Sequence, residues 1–332
     1  MSRFHVGTYA KDGGRGLVPI TLAPDGLMTR GQPYGAAKNA SFAAYSQRHG
    51  LHYVVDEQKV GALGVYRRSG DAWDRLARVD TGGAAPCYVA LNADETRLAV
   101  ANYDSGSAAL FALDSDGLPQ PQALFQNEGD GLDPERQEGP HVHCARFTPD
   151  GALYAVDLGT DEILRFDEEL VGTRQVYRAP PGSGPRHLLF VPGRPLAILL
   201  SELASTLTLL EVSRDGMLRP LQIVSTLPAG FKGESLGGHL ALNAAGTRVY
   251  VSNRGHNSLA LFALEERALK LLQHVTSTGA HPRNFVLLEN AGKLVVAHEK
   301  DGRVASFTIA SDGQLKLLGK GAVVPGACCI IA

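Results

Sequence analysis

The chain has few of the residues that cross-link small secreted domains or bind structural zinc. It contains 4 cysteines and 3 methionines in 332 residues. Two of the cysteines are adjacent, and no C-x-x-C or H-x-x-x-H spacing occurs. This pattern excludes a disulfide framework and a structural zinc site. We therefore expect Cys87, Cys144, Cys328 and Cys329 to be reduced, buried packing residues.

Long apolar runs and an excess of one charge are also missing. Lys and Arg total 32 against 34 for Asp and Glu, a net charge of -2, so no nucleic-acid or anionic-membrane surface is indicated. No segment approaches the ~18 apolar residues of a membrane span, and the first residues, MSRFHVGTYAKDG, lack a signal-peptide apolar run. We therefore expect a cytoplasmic protein.

Glycine is plentiful, with 38 residues, and the chain repeats itself. A β-rich phrase that ends in a polar residue occurs seven times, as FHVGTY, HYVVDE, RLAVANY, LYAVDLG, AILLSEL, RVYVSNR and KLVVAHE. The closing polar residues lie 45 to 55 residues apart, at Thr8, Asp56, Asn102, Asp157, Glu202, Asn253 and His298. A period of this length is typical of propellers and solenoids.

Each phrase has neighbouring segments that also predict strands. A strand such as PCYVALN or RHLLFVP precedes all copies but the first, and an alternating strand such as SAALFALD, EILRFDE or TLTLLEV follows. Asp116-Gly117, Asp215-Gly216 and Asp312-Gly313 are typical hairpin turns. We predict one all-β domain over residues 1–332, a seven-bladed β-propeller with four-stranded antiparallel blades.

The two chain ends are complementary. The first copy lacks a preceding strand, and residues 325–332, PGACCIIA, have the composition of that strand. We therefore predict that the C-terminal strand joins the N-terminal blade and closes the ring. An open solenoid would need capping ends instead.

Polar residues are concentrated where the first strand of a blade begins and the second ends. These two places lie at one end of an antiparallel pair, so residues from several blades should converge on one mouth of the channel. The sequences there are GPHVH from Gly139, GPRH from Gly184, GGH from Gly237 and AHPRN from Ala280. Imidazoles, guanidiniums and carboxylates of this kind can activate water and hold an anionic, oxygen-rich substrate.

Two long insertions enter the same mouth, at residues 127–138 and 228–238. Loops on a rigid scaffold often carry specificity, so both are candidate lids. The candidate substrate-binding residues from these places are His143, Arg283, His239, His281, Asn253 and Lys232. His141 and His143 should point to the same side of their strand, because side chains alternate with a period of two. His187 should point away from Arg186 and serve packing.

The ordered set GTY, GPHVH, GPRH, SEL, SNRGHNS and HPRNF, spread over essentially the whole chain, resembles the propeller lactonases. That family includes bacterial 6-phosphogluconolactonase and the fungal enzyme that lactonises carboxy-cis,cis-muconate. The resemblance implies a seven-bladed propeller, hydrolysis of a sugar-acid lactone, no cofactor and no obligatory metal. It assigns catalytic roles to His141, Arg186, Glu202 and Arg254, and gives His143 an additional family-like position.

The expected mechanism is attack of water on the lactone carbonyl. Glu202 or His141 would take the proton, while Arg186 and Arg254 would stabilise the oxyanion or a substrate carboxylate or phosphate. The expected partner is a small anionic or polyhydroxylated lactone. Two alternatives stay open, namely a lactonising enzyme acting on a muconate-like diacid and a non-enzymatic propeller that binds proteins through its rim. The oligomeric state is open as well.

Overall fold

Alternating apolar and polar residues build the chain almost entirely from short β-strands. The structure is a computed structural model, and it describes residues 1–166, 172–319 and 321–332. Asp167 and Glu168 of the predicted strand EILRFDE lie outside these ranges. Helical structure within the described ranges is limited to the 3₁₀ turns Ala10–Asp12 and Glu289–Ala291.

The strands recur in groups of four. In chain order they are β1 (Ser2–Thr8), β2 (Leu17–Leu22), β3 (Met28–Arg30), β4 (Ala43–Ser46), β5 (Leu51–Asp56), β6 (Ala62–Ser69), β7 (Ala72–Asp80), β8 (Pro86–Leu91), β9 (Arg97–Asn102), β10 (Ser107–Leu113), β11 (Pro119–Gln126), β12 (Val142–Phe147), β13 (Leu153–Asp157), β14 (Glu162–Phe166), β15 (Thr173–Arg178), β16 (Pro185–Phe190), β17 (Leu196–Ser201), β18 (Thr206–Val212), β19 (Leu218–Ser225), β20 (Leu236–Leu242), β21 (Arg248–Arg254), β22 (Ser258–Leu264), β23 (Leu269–Thr276), β24 (Pro282–Leu288), β25 (Lys293–His298), β26 (Arg303–Ile309), β27 (Leu315–Leu317), β28 (Ala322–Val323) and β29 (Ala327–Ile331).

Hydrogen bonding joins these strands into seven sheets within the described ranges, as predicted. Repeat 1 has the order β29-β1-β2-β3, and repeats 2 to 6 run β4 to β7, β8 to β11, β12 to β15, β16 to β19 and β20 to β23 in sequence order. Repeat 7 comprises β24 to β27, with β28 added against β26. In each repeat we call the four strands a, b, c and d, so that a pairs with b.

The C-terminal strand completes the N-terminal sheet, which confirms its predicted place. Strand β29 supplies strand a of repeat 1 and pairs antiparallel with β1, with Val6 opposite Ile330. Cys328 and Cys329 lie in this strand and are 0% and 2% exposed, so they pack in the interior as expected. The other two cysteines, Cys87 and Cys144, are also buried and reduced.

The chain divides into two compact units. Unit 1 contains Met1–Ala40, Ala204–Leu209 and Pro220–Ala332, and unit 2 contains Ser41–Leu203 and Leu210–Arg219. Each has its own apolar clusters, built around Phe4, Val295 and Phe307 in unit 1. The assignment of residues 1–332 to one domain stays a prediction.

Buried tyrosines on strand b link neighbouring repeats within a unit. Tyr53 and Tyr154 donate to the carbonyls of Gly117 and Gly216, at 2.7 and 2.9 Å, and each glycine lies in the predicted Asp-Gly hairpin of the next repeat. In unit 1, Tyr250 donates to Gly313 in the same way at 2.9 Å. A buried tyrosine hydroxyl needs such a partner. The glycines have φ of 80°, 79° and 91°, a left-handed conformation that side chains with a Cβ disfavour.

Candidate functional site

A β-bulge at the start of strand a marks the first of two functional positions. In repeat 4, Val142 pairs with Asp157 and Cys144 with Val156, so His143 is the extra residue. A bulge re-aims a side chain and often lies beside an active site. In four other repeats the same register shift makes one residue of strand a the extra residue of the bulge. These residues are Cys328, Cys87, Arg186 and Arg283.

The second functional position follows the last paired residue of strand b. That paired residue is Asn102 in repeat 3, Ser201 in repeat 5 and His298 in repeat 7. The residues that come next are Tyr9, Tyr103, Leu158, Glu202 and Glu299. In repeat 6 the residue after Asn253, Arg254, is itself paired, opposite Leu236. Our sequence alignment grouped Glu202 with the closing residues, but the register places it one residue further on.

The closing residues themselves hold turns and neighbouring strands together. Asn253 donates to the Thr226 carbonyl at 2.8 Å and to Ser258 at 3.1 Å. Asn102 has equivalent bonds to the Thr81 carbonyl and to Ser107, both at 3.1 Å. Asn253, a predicted substrate-binding residue, is 0% exposed, and its hydrogen bonds support the backbone of unit 1.

Glu202 is the centre of a buried ion-pair cluster in unit 2. Its side chain is 3% exposed and accepts hydrogen bonds from two guanidiniums. Arg186 Nη1 donates to Oε2, and Arg136 Nη2 donates to Oε1 at 2.7 Å. The pair between Arg186 and Glu202 is almost fully buried, at 5% and 3% exposure, where electrostatic interactions are strong, whereas the Arg136 side chain is 33% exposed.

His143 extends this cluster through Arg186. Arg186 Nη1 also donates to His143 Nε2, and that nitrogen lies 3.9 Å from Glu202 Oε2. The other ring nitrogen, Nδ1, lies 3.5 Å from Cys87 Sγ. Since Nε2 accepts from Arg186, the proton of the neutral ring is on Nδ1.

His141 belongs to the same cluster through Tyr103. Its ring stacks on the Tyr103 ring at 4.4 Å, and the His143 ring meets the same tyrosine edge-on at 5.3 Å. Both histidines therefore lie on the same side of their strand, as predicted. The bulge at His143, rather than simple alternation of side chains, brings them there. His141 Nδ1 is 3.0 Å from the Tyr103 carbonyl, and Nε2 is 3.1 Å from Glu138 Oε1.

Asp157 helps to fix His141 and is occupied by that task. Its buried Oδ1 accepts from the backbone amides of His141, Gly159 and Thr160 at 2.8 to 3.1 Å, and Oδ2 accepts from Asn127 at 2.8 Å. Burial raises the pKa of Asp157, while these hydrogen bonds act in the opposite direction. The residue is a structural anchor for the start of β12.

The insertion at 127–138 contributes Arg136, which sequence reasoning missed. Arg136 Nη2 contacts both Glu202 and the Tyr103 hydroxyl, the latter at 3.2 Å. Burial opposes its charge, but Glu202 and Tyr103 raise the pKa of Arg136 above its usual value. Arg136 is the one basic residue in NEGDGLDPERQE. Because this segment was a candidate lid over a mouth that carries carboxylates, its single basic residue could have been proposed as a site residue.

Hydrogen bonds hold this insertion in a defined shape. Gln137 is 0% exposed and donates to the Leu158 carbonyl at 2.8 Å. Its backbone amide donates to the Asp133 carbonyl at 2.7 Å, which closes a single turn around Arg136. The guanidinium is therefore delivered from a fixed turn rather than from a loose loop.

Unit 1 contains a second set of predicted residues. Arg283 Nη1 donates to Glu299 Oε2 at 3.4 Å, and Arg254, 6% exposed, donates from Nη2 to the Gly237 carbonyl at 2.9 Å. Burial would raise the pKa of Glu299, but Arg283, Arg254, Lys11 and His281 hold it below its ordinary value. Glu299 was not among the predicted site residues, because our alignment took His298 as the closing polar residue of this repeat.

The other predicted unit 1 residues have less direct roles. His281 has a positive φ of 59°, and its backbone amide donates to Asn257 Oδ1 at 2.8 Å. Burial lowers the pKa of His281, and nearby cations add to that effect. The His239 ring packs edge-on against Phe285 at 4.9 Å. Lys232 is exposed in the second insertion.

Chemically, the unit 2 cluster combines fixed positive charge with imidazoles and a phenol. Within residues 1–166, 172–319 and 321–332, no group of three or more His, Cys, Asp or Glu side chains is placed to hold a metal ion.

The described part of the chain also has no helix long and apolar enough to cross a membrane. His187, predicted to serve packing, has its ring against Tyr88 and His143 at 5.3 and 5.6 Å.

Comparison with known proteins agrees with the repeat count. A family model described as "Lactonase, 7-bladed beta-propeller" matches residues 3–332, which confirms the predicted fold class. The 6-phosphogluconolactonase of Bacillus subtilis (strain 168) is 31% identical over 98% of this chain and 97% of its own length.

Solved structures give the same result. A protein from Lactobacillus plantarum superimposes with a TM-score of 0.92 at 30% identity, covering 99% of this chain and 98% of that one. The periplasmic gluconolactonase of Pseudomonas aeruginosa gives 0.88 at 28% identity, covering 100% and 99%. The likeness therefore extends over whole chains.

Proposed function

Because the chain belongs to the lactonase family of seven-bladed β-propellers, we propose that it hydrolyses an aldonolactone, with 6-phosphogluconolactone as the first substrate to test. The observation that supports this most is the buried cluster in which Glu202 orients two guanidiniums beside two histidines. The name of the Bacillus subtilis relative supports the choice of substrate.

The guanidiniums supply the electrostatic part of the reaction. Water attack on a lactone carbonyl places negative charge on the carbonyl oxygen, and donors fixed in advance lower that barrier. Arg186 and Arg136 are both held by Glu202 and are the fixed donors of this cluster. Arg254, which the family resemblance also selects, stays a predicted anion-binding residue.

His141 is the better of the two general-base candidates. Two charge-assisted hydrogen bonds stabilise Glu202 in its ionised form, which makes it a poor proton acceptor. In His141 the Tyr103 carbonyl accepts from Nδ1, so Nε2 carries the lone pair of the neutral ring. Glu138 Oε1 lies 3.1 Å from Nε2 on a side chain 57% exposed, and it accepts a hydrogen bond from Nε2 only after proton transfer, when it stabilises the imidazolium.

A panel of plain and phosphorylated aldonolactones, followed by proton release, tests the proposal. We expect rates well above spontaneous hydrolysis for at least one lactone, with and without a chelator. His141→Asn should lower turnover by ~100-fold or more if His141 is the base. Arg219→Gln, an exposed charge change in unit 2, is the control. A chain that accelerates none of these lactones would overturn the proposal.

A further inference from the structure

The insertion at residues 127–138 is held at both ends by one turn of repeat 4. This turn, residues 157–160, begins at the last residue of strand β13, and we call it the support turn. At the first end of the insertion, the Asn127 side chain donates to Asp157 Oδ2 at 2.8 Å and to Thr160 Oγ1 at 3.3 Å. The insertion therefore starts at a fixed point of the repeat.

Gln137 fastens the other end of the insertion to the support turn. It is 0% exposed, its Nε2 donates to the Leu158 carbonyl at 2.8 Å, and its Oε1 accepts from the Asp133 amide at 3.1 Å. A buried amide needs partners for its donor and acceptor groups, and these two bonds supply them. One side chain thus links the support turn to the middle of the insertion.

The residues on either side of Gln137 both reach the unit 2 cluster. Arg136 Nη2 donates to Glu202 Oε1 at 2.7 Å, and Glu138 Oε1 lies 3.1 Å from His141 Nε2. A shift of this part of the chain would move the guanidinium away from the place where it is fixed. A misplacement of about 1 Å can lower a rate by ~100-fold.

Gly159 lets the insertion lie directly on the support turn. A Cβ at this position would overlap the Gly139 carbonyl oxygen and would lie 2.9 Å from the His141 amide nitrogen. Any side chain there would therefore push the end of the insertion away, since only glycine allows so close an approach of two backbones. The same turn binds the His141 amide through Asp157 Oδ1 at 2.8 Å, so the candidate base and the insertion share one support.

We propose that Gln137 and Gly159 are positioning residues, which set the place of Arg136 relative to Glu202 and His141. This inference rests on the proposed lactone hydrolysis, because it concerns the same cluster. Each residue acts through the backbone of the insertion rather than by contact with the reacting groups. A residue that served packing alone would change stability, whereas a positioning residue changes kcat through Arg136.

A double-mutant cycle between Gln137 and Arg136 tests this role on the best lactone of the panel. Gln137→Met keeps the size of the side chain but removes both of its hydrogen bonds, so kcat should fall by about tenfold or more and KM by less than about threefold. Arg136→Gln should lower kcat by ~100-fold. The double variant should have the kcat of Arg136→Gln within about threefold, because no guanidinium is left to position. Gln120→Met, at an exposed glutamine of β11, should keep the wild-type kcat.

Gly159→Ala provides a second cycle with Arg136→Gln, which keeps the test valid if Gln137→Met is not folded. Its kcat should also fall by about tenfold or more, and that loss should likewise disappear in the Arg136→Gln background. Gly35→Ala is the matched control, since a Cβ there meets no atom within 4 Å. Melting curves show which variants are folded.

Two failures are distinguished by these measurements. In a wild type that hydrolyses a lactone, losses of kcat that multiply with that of Arg136→Gln, or an unchanged kcat in both Gln137→Met and Gly159→Ala, would overturn the positioning role and leave the proposed function intact. A wild type that hydrolyses none of the lactones would overturn the proposed function, and the positioning role with it.

Discussion

Repeats 5 and 7 carry the same ion pair at the same two repeat positions. Arg186 and Glu202 are 16 residues apart, as are Arg283 and Glu299, and each arginine is the extra residue of a bulge in the same register. The environments differ, since the side chains are 5% and 3% exposed in repeat 5 but 14% and 16% exposed in repeat 7. A repeat thus supplies the pair, and its surroundings decide what the pair does.

An insertion and a turn make the difference. In unit 2, Arg136 from residues 127–138 binds the second oxygen of Glu202 and completes a buried, doubly paired carboxylate. In unit 1, the turn after β1 brings Tyr9 and Lys11 to Arg283, so the cluster collects cations instead. We therefore expect the repeat 5 pair to serve turnover and the repeat 7 pair to serve substrate binding.

Removing the arginine from each pair tests this division most strongly. Arg186→Gln should lower kcat for the lactone by ~100-fold or more, because a fixed donor to the developing oxyanion is lost. Arg283→Gln should lower kcat by less than ~10-fold. Initial rates by proton release measure both, and Arg219→Gln is the exposed control. Equal losses in kcat would show that the two pairs have the same role.

Removing the carboxylates compares the same pairs by stability. Glu202→Ala leaves two guanidiniums without their shared partner at a site 3% exposed, which should cost ~3 to 5 kcal/mol of unfolding free energy. Glu299→Ala breaks a more exposed pair and should cost ~1 kcal/mol or less. Urea denaturation measures both. A larger loss of unfolding free energy for Glu299→Ala than for Glu202→Ala would contradict the expectation that the more buried ion pair contributes more.

Tyr103→Phe tests the contribution of the Tyr103 hydroxyl, which is an uncharged member of the unit 2 cluster. The substitution keeps the ring that stacks on His141 but removes the hydroxyl that accepts from Arg136 at 3.2 Å. One hydrogen bond is worth ~1 kcal/mol, so turnover should fall by only a few-fold. Tyr9→Phe is the matched variant in unit 1. An unchanged rate for Tyr103→Phe would mean that the hydroxyl does not help to position Arg136.

The sequence predicted the fold well because period and turn chemistry are local signals. Seven copies of one phrase, the Asp-Gly hairpins and the C-terminal strand were all readable from residue order. The functional register was not, because a bulge shifts the pairing by one residue without altering the local pattern. On strand b, Glu202 was aligned with Asp157 because both are acidic, whereas the pairing makes Ser201 the counterpart of Asp157.

Arg136 was missed for a different physical reason. Nothing in NEGDGLDPERQE indicates which direction its arginine points, since this depends on Gln137 bonding to the Leu158 carbonyl of another strand. Contacts between an insertion and the scaffold are long-range, and local sequence does not encode them. Residues such as His141 and Arg186 could be proposed from the sequence because their position at the start of a strand, rather than such contacts, indicates where they lie.

Acid titration gives the smallest expected difference between the pairs. The pKa of Glu299 in the folded chain lies below its ordinary value of 4.5, with burial opposed by Arg283 and other cations. A carboxyl group of this kind stabilises the fold above its unfolded pKa, and this contribution is lost as the pH falls through the folded pKa. Glu299→Gln should therefore reduce stability at neutral pH and flatten the decline below about pH 4.5.

Chemical denaturation at a series of pH values measures this effect as the slope of unfolding free energy against pH. The wild type and Glu299→Gln should converge as the pH falls below the folded pKa, since the protonated wild-type carboxyl is then neutral like the amide. Glu289→Gln, an exposed carboxylate in the same unit, should keep the wild-type slope. If the two curves instead separate further in acid, the cations around Glu299 do not stabilise its ionised form.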